Sequence, residues 1–410
     1  MRFLLSTYGS RGDVEPFVAL SARLTELGSE VRVCAPPDEE FEERLAAVGA
    51  TALPLGRSAR EVVAEGKPSS VDIRARAAEF VATHTAQLRQ VLEARGCDLV
   101  LATGLITNAA GARSVADKLG IPAAYATFQQ VTLPSPHRGP LAYPGKPLPE
   151  NADNQQLWEH DAASQDEIFG EPLNAERAEL GLPPVGDIRS YYIGERPLLA
   201  TDPVLDPWVE PNPQEVVQTG QWVLEDRRPL PADLEAFLNS GEPPVYVGFG
   251  SMGMHDSPEL SRVVVESVRA QGRRAVLGRG WVGMRAIDDA DDVLAVGEVN
   301  HSALFPRVAA VVHHGGAGTT HAAARAAAPQ VIVPQLADQP YWSRRVADLG
   351  IGAAHDGAAP TAESLSAALR EALAPETALR ARSIADRMRT DGAKLAAEHL
   401  VERAAGGSAR

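Results

Sequence analysis

The chain has 410 residues, of which 44% are hydrophobic, and a formal net charge of −15 at pH 7. That length exceeds what one hydrophobic core usually holds, so two domains are expected, and the acidic balance argues against nucleic acid, which needs a basic patch. Cys34 and Cys97 are too few for a disulfide framework and fit a reducing cytoplasm, while no signal peptide and no apolar run near the roughly 20 residues of a membrane span argue against stable membrane insertion.

In chain order, Arg2–Thr7 reads as a strand. It ends in Tyr8-Gly9-Ser10-Arg11-Gly12-Asp13, and a helix follows with Pro16 in its first turn and Gly28 past its end. Val31–Cys34 is the second strand and Asp38 to Val48 the second helix; Asp98–Ala102 and Ala123–Ala126 are later strands, with helical patterns over Val71–Ala94 and Asn108–Leu119. The alternation argues for a parallel, doubly wound sheet. The Pro-rich segment Gln129–Pro149 breaks it and reads as a wall of a ligand site or as disorder, and Gly56–Ser70 is a weaker candidate of the same kind. Helices return at Asn151–Phe169 and Asn174–Leu180, and Leu198–Thr201 reads as an edge strand.

Asp202–Pro231 holds six prolines and reads as an interdomain linker, with Trp208 and Trp222 packing at a hinge. The alternation restarts at Val245–Ser251, with strands at Arg274–Leu277, Val293–Val296, Val308–Val312 and Val331–Val333. No internal repeat is evident. The tail from Thr361 is helical, fraying over 406–410.

Two turns of this second half carry chemistry. After Val308–Val312 comes His313-His314-Gly315-Gly316-Ala317-Gly318-Thr319-Thr320, leading into an alanine-rich helix. Glycines there bare backbone N–H groups at the positive end of a helix dipole, which suits a phosphate. No P-loop Lys is present, and the spacing ends in His321 where a dinucleotide fingerprint has Gly. Adjacent His side chains on a strand point to opposite faces, so a shared metal ion is disfavoured; a tight turn with one buried His is the structural alternative. Directly after Val331–Val333 stand Asp338 and Gln339, at the end of a neighbouring strand where open α/β sheets bind ligands. Phosphate donors beside hydroxyl acceptors suit a sugar carried on a diphosphate.

The stretch HHGGAGTTHAAARA…PQVIVPQLADQP resembles the donor-site signature of GT-B glycosyltransferases that use nucleotide-diphosphate sugars. The opening MRFLLSTYGSRGDVEPFVALSARLTELGSEVRVCAPP is similar to the actinomycete enzymes that glycosylate vancomycin-type glycopeptide antibiotics. The likeness spans essentially the whole chain. It implies an α/β fold of GT-B architecture, two Rossmann-like doubly wound domains facing across a cleft. The expected divisions are an acceptor-binding domain at 1–215, a linker at 216–244, a nucleotide-sugar domain at 245–382, and a last helix, 383–405, that packs back on the first domain. It also implies an inverting transferase that moves a sugar from TDP or UDP to a hydroxyl of a glycopeptide aglycone or its glucosylated form. A macrolide, polyketide or sterol is the alternative acceptor.

Such a transfer needs a base, a stabilised leaving group and an oriented sugar. The resemblance makes Asp13 of Ser10-Arg11-Gly12-Asp13 the base, and Ser10 is expected to orient the acceptor or Asp13, or else to be a plain turn residue; spacing alone favours Asp13 as a helix N-cap. Arg11 can pair with a carboxylate and stay structural. His313, His314 and the backbone of Gly316, Ala317, Gly318 and Thr319 are the expected diphosphate donors, with Ser251 meeting the same group. Trp281, beside Val282, is expected against the nucleotide base, and Val299 to contact it through the main chain. Asp338 and Gln339 would hold sugar hydroxyls or an amino group, or else cap the next helix. Asp289-Ala290-Asp291 imitates a metal-binding D-x-D but sits in an acidic run that reads as a solvated turn, so no metal and no cofactor beyond the nucleotide sugar are expected. The expected state is a cytoplasmic monomer acting on a natural-product acceptor. A non-catalytic nucleotide-binding homologue, an oxidoreductase and an epimerase are the competing classes; the first fits poorly with Asp13 and both donor motifs kept, and Cys34-Ala35-Pro36 stands where the second needs an acidic residue.

Overall fold

The computed structural model describes residues 1–64, 72–143, 146–250 and 257–407. They form two compact units. The first comprises Met1–Pro203, Pro207–Leu224 and the chain from Arg389 onward; the second comprises Val204–Asp206 and Glu225–Met388. No helix among the described residues is long and apolar enough to cross a membrane.

The first unit is built on seven strands: β1 (Arg2–Ser6), β2 (Glu30–Ala35), β3 (Thr51–Pro54), β4 (Leu99–Ala102), β5 (Ala123–Thr127), β6 (Leu198–Leu199) and β7 (Val217–Gln218). They lie in the order β3-β2-β1-β4-β5-β6-β7, every pair parallel. Strands such as Phe-Leu-Leu and Leu-Val-Leu are apolar on both faces because helices cover both sides of a parallel sheet. The second unit has β8 (Val245–Gly248), β9 (Ala275–Gly278), β10 (Val293–Val296), β11 (Ala310–His313), β12 (Gln330–Ile332) and β13 (Gly352–Ala354), in the order β10-β9-β8-β11-β12-β13. Alternate residues feed its two cores: Val245 and Val247 pack with Leu277, Val312 and Leu365, while Tyr246 packs with Val276, Phe305 and Ala323. Each fully buried Val or Leu contributes about 1.5–3 kcal/mol.

In both units the strand order turns back beside the first strand, between β1 and β4 and between β8 and β11. At such a switch point the loops leaving neighbouring strands diverge and open a crevice at the strands' C-terminal ends.

Several elements differ from expectation. The helix after β1 begins at Arg11, so Pro16 lies in its interior. There Pro gives up one helical bond, to the carbonyl of exposed Gly12. The two helices expected around Pro172 are one, Asn154–Glu179, held through the proline by buried Ile168 and Leu173. Strand β6 is interior, since β7 adds outside it. The first unit runs on past the expected boundary at 215: Trp222 is buried against Phe17 and Phe128 and donates its Nε1–H to Thr219 Oγ1 at 2.9 Å. The tail from Thr361 is three helices, Ala362–Ala372 and Pro375–Ala385 in the second unit and Gly392–Gly407 in the first. The last helix packs on Arg11–Glu26, and its first residue, Gly392, lies close against the Gly220–Gln221 backbone, where a Cβ would stand 2.4 Å from Gln221 O.

Candidate active site

In the first unit the switch point is pinned by buried Asn108. Its amide Nδ2 donates to Ser6 O at 3.0 Å and Thr103 O at 2.8 Å, tying the ends of β1 and β4 together, and Ser6 Oγ donates to its Oδ1 at 2.6 Å. Asp13 sits above this junction. Ser10 is the N-cap of the helix and Asp13 its third residue, whose Oδ2 accepts the Ser10 N–H at 3.1 Å. The carboxylate therefore supports the helix start as the partner of the cap, not as the cap. Gly9 makes room for it, and Gly104 for the neighbouring Tyr8 backbone. A Cβ on Gly9 would fall 2.0 Å from Asp13 Oδ2, and one on Gly104 would fall 2.9 Å from Tyr8 O and 3.6 Å from Asp13 Oδ1. Gly104 also holds φ +79°, the left-handed region. Arg11 pairs with Glu15 at 3.2 Å, as does Arg44 at 3.0 Å.

In the second unit the turns after the parallel strands all leave the same sheet edge. His313 and His314 face different ways, as strand geometry requires. His313 is wholly buried; its Nδ1 accepts the Gly315 N–H at 3.1 Å and its Nε2 lies 2.9 Å from Gln330 Oε1. Both nitrogens are thereby engaged inside the unit. His314 stands at the turn itself, between two glycines: a Cβ on Gly316 would meet its Nε2 at 2.6 Å, and one on Gly250 its Cε1 at 3.2 Å. Burial lowers the imidazole pKa to about 4, so His314 is neutral at ordinary pH and has one N–H to offer. The helix Ala317–Arg325 starts here with Gly316 as N-cap. Its first turn, Ala317 to Thr319, lies at the positive end of the helix dipole.

The two motifs touch. Gly315 has φ +93°, and a Cβ there would stand 2.6 Å from Ile332 Cγ2 and 3.2 Å from Gln339 O. Asp338 and Gln339 differ in what they do. Gln339 is buried and its Oε1 accepts the N–H groups of Gln335 at 2.7 Å and Leu336 at 3.2 Å, shaping the loop after β12. Asp338 is partly exposed and accepts Trp342 Nε1–H on Oδ2 at 2.8 Å; burial raises its pKa to about 6 against that hydrogen bond. Trp342 is wholly buried and meets the His321 ring edge-on at 5.0 Å, and His321 Nδ1 lies 2.7 Å from Ala317 O.

On the other side of β8, Trp281 N–H donates to Gly250 O at 3.0 Å, and Gly280 allows the approach, since a Cβ there would be 2.6 Å from that oxygen. Trp281 and Val282 are half-buried. The Val299 side chain is buried with Tyr246 and Phe305, which leaves the main chain to meet a ligand. Ser251, and Gly56–Ser70 from residue 65 on, lie outside the described residues. The acidic run has another use: Arg269 pairs with Asp288 and Asp292, each at 2.7 Å.

Sequence reasoning missed Gly9, Gly104, Asn108, Gln330 and Trp342. Two carried a signal, namely a polar residue within an apolar run: Asn108 at the start of an alanine-rich helix and Gln330 within Pro-Gln-Val-Ile-Val.

Comparison with known proteins extends these observations. Residues 3–133 match the Glycosyltransferase family 28 N-terminal domain, and residues 283–399 the Erythromycin biosynthesis protein CIII-like, C-terminal domain. The chain is 52% identical to Glycosyltransferase GtfE of Amycolatopsis orientalis, over 98% of this chain and 97% of that protein. It is 49% identical to the Vancomycin aglycone glucosyltransferase of the same organism, with the same coverage. With the dTDP-epi-vancosaminyltransferase it shares 44% identity over 94% of this chain and 93% of the other. Among solved structures, the glycotransferase of kitacinnamycin superposes with a TM-score of 0.73 at 21% identity, over 98% of both chains. Glycosyltransferase VinC in complex with dTDP superposes at 0.69 and 22%, over 98% of this chain and 99% of that one. The two-sheet fold is thus GT-B.

Proposed function

The chain belongs to the glycosyltransferase family that includes the vancomycin aglycone glucosyltransferase, and we propose that it moves a sugar, with inversion, from a TDP- or UDP-sugar to a hydroxyl of a glycopeptide antibiotic aglycone or its glucosylated form. The observation that carries this reading is the meeting of two turns in the second unit: His314 and the start of the Ala317–Arg325 helix on one side, Asp338 on the other, in contact through Gly315 and Gln339. The chemistry of that pair fits a diphosphate joined to a polyhydroxylated ring.

In this mechanism the acceptor oxygen attacks C1 of the sugar as the C1–O bond to the diphosphate breaks. The acceptor proton passes to the Asp13 carboxylate, and the negative charge that develops on the leaving diphosphate is met by first-turn amides and the His314 N–H. His313 orders the turn from beneath. Asp338 receives sugar hydroxyls, Gln339 shapes its loop, Trp281 with Val282 borders the nucleotide base, and Val299 meets it by main chain. Ser251 is assigned to the diphosphate from its place after β8. Ser10 orients Asp13 through its backbone N–H. The helix terminus supplies positive charge where other transferases use an ion, so the reaction is read as metal-independent, in the cytoplasm.

The test is mass spectrometry of products from TDP- and UDP-sugars offered with glycopeptide, macrolide and polyketide aglycones, with and without EDTA. Nucleoside diphosphate released only when a glycopeptide acceptor is present supports the proposal. Release with no acceptor, transfer only to another aglycone class, or activity lost to EDTA and restored by Mg²⁺ contradicts it.

A further inference from the structure

We propose that Gln330 is a positioning residue: from strand β12 it fixes the tautomer of His313 and thereby holds the glycine turn in the shape that receives a diphosphate. The inference rests on the diphosphate reading of that turn.

The hydrogen bonds determine the direction of the relay. Gly315 N is a backbone donor, so His313 Nδ1, 3.1 Å away, must be an acceptor without a proton. Burial holds the imidazole neutral, so its single proton resides on Nε2. The group 2.9 Å from Nε2 must then accept, which requires the oxygen of the Gln330 amide. A flipped amide would set two donors against each other.

Gln330 is wholly buried, and its Nε2 has no hydrogen-bond partner among the described residues. A buried, unsatisfied amide N–H is a standing cost. The strand does not call for it: the next two residues of β12 are Val331 and Ile332, and an apolar side chain of equal size would remove that orphan, though it would leave the His313 Nε2–H without its acceptor. What the glutamine contributes is the acceptor. With it, His313 can only be the Nε2–H tautomer, and the Gly315 amide stays bonded to Nδ1. Without it the Nδ1–H form becomes accessible and opposes the Gly315 N–H. Gly315 is the residue that sets the turn, at φ +93° and pressed on Ile332 and Gln339, and His314 and Gly316 follow from it. A side chain that disfavours the fold and favours one shape of a binding loop is acting on that loop.

The substitution Gln330→Met keeps the size and removes the acceptor. Three measurements on the full chain are needed: TDP and UDP affinity by calorimetry, melting temperature, and the His313 tautomer by ¹⁵N-edited NMR of imidazole-labelled protein. The wild-type spectrum tests the tautomer without any substitution and is expected to show Nε2–H. In Gln330→Met the Nδ1–H form is expected to appear, and TDP affinity to fall roughly tenfold, the low end for loss of an orienting partner, with the melting temperature close to wild type, because the orphaned amide N–H that is removed offsets the His313 nitrogen that loses its acceptor. A wild-type Nδ1–H tautomer overturns the proposal. So does wild-type TDP affinity in Gln330→Met, or a loss that comes with a lowered melting temperature. His314→Ala separates the two levels. If it weakens TDP binding while Gln330→Met does not, the relay alone has failed; if neither weakens it, the diphosphate reading has failed with it.

Discussion

The indole N–H of Trp342 points at Oδ2 of Asp338 from 2.8 Å, one turn along the same helix. That bond favours the ionised form of a carboxyl whose pKa burial has raised to about 6. A carboxyl with a raised native pKa binds its proton more tightly folded than unfolded. Its contribution to stability is therefore greatest below the unfolded value, near 4, and declines as pH rises toward about 6, where the folded group ionises. Ionised Asp338 is the better acceptor for sugar hydroxyls. We expect the dissociation constant of the nucleotide sugar to rise as pH falls through about 6. His313 and His314, held neutral down to about 3 and 4, do not titrate in that window. In Asp338→Asn the affinity should be weaker at pH 7 and flat from pH 5 to 8, by calorimetry; an unaltered pH dependence would remove Asp338 from the sugar site.

His314→Ala should lower turnover about a hundredfold, the ~3 kcal/mol lost when one positioned donor to a developing anion is removed. Gly316→Ala should do nearly as much, because its new Cβ would collide with His314 Nε2 at 2.6 Å. The double variant should be no worse than His314→Ala, since both act through one imidazole. Additive losses in kcat would mean that the glycine serves something other than His314.

Asp13→Asn keeps an oxygen for the Ser10 N–H, so the helix start survives and the melting temperature should hold. The base is gone, and kcat should drop by roughly 10²–10⁴ with TDP affinity unaltered. A variant that turns over normally would leave Asp13 with only its part in the cap.

Asn108→Leu leaves Thr103 O buried without its side-chain donor and Ser6 Oγ without its acceptor, while Ser6 O keeps the Thr103 N–H at 3.0 Å. At about 1–3 kcal/mol for each unsatisfied group, the first unit should lose several degrees of melting temperature. Calorimetry should resolve this as a shift in one transition, because two units need not unfold together. An unshifted thermogram would show that Asn108 does not hold the β1 and β4 ends.

Much of this fold is legible because parallel strands buried on both faces are short runs of Val, Leu and Ile between helices, and such runs survive any context. Strand β7 and the start of the first helix were not, for a common reason. Two residues such as Val217-Gln218 make a strand only because β6 is already there to pair with, and a helix start depends on which backbone groups a cap can reach. Pro172 misleads likewise, since packing of Ile168 and Leu173 outweighs one lost hydrogen bond.

The site divides along the same line. Residue types in chain order already set out the chemistry on offer: glycines that bare amides ahead of a helix, a pair of histidines, an Asp-Gln pair after the next strand, and a carboxylate after the first. Those depend on residue type and spacing, which chain order preserves. Direction came from packing. It turned His313 inward onto Gln330 and left His314 at the turn, gave Gln339 to its own loop and Asp338 to Trp342, and made Asp13 the partner of a cap. Which way a side chain points depends on partners distant in sequence, and their positions exist only once the strands have paired.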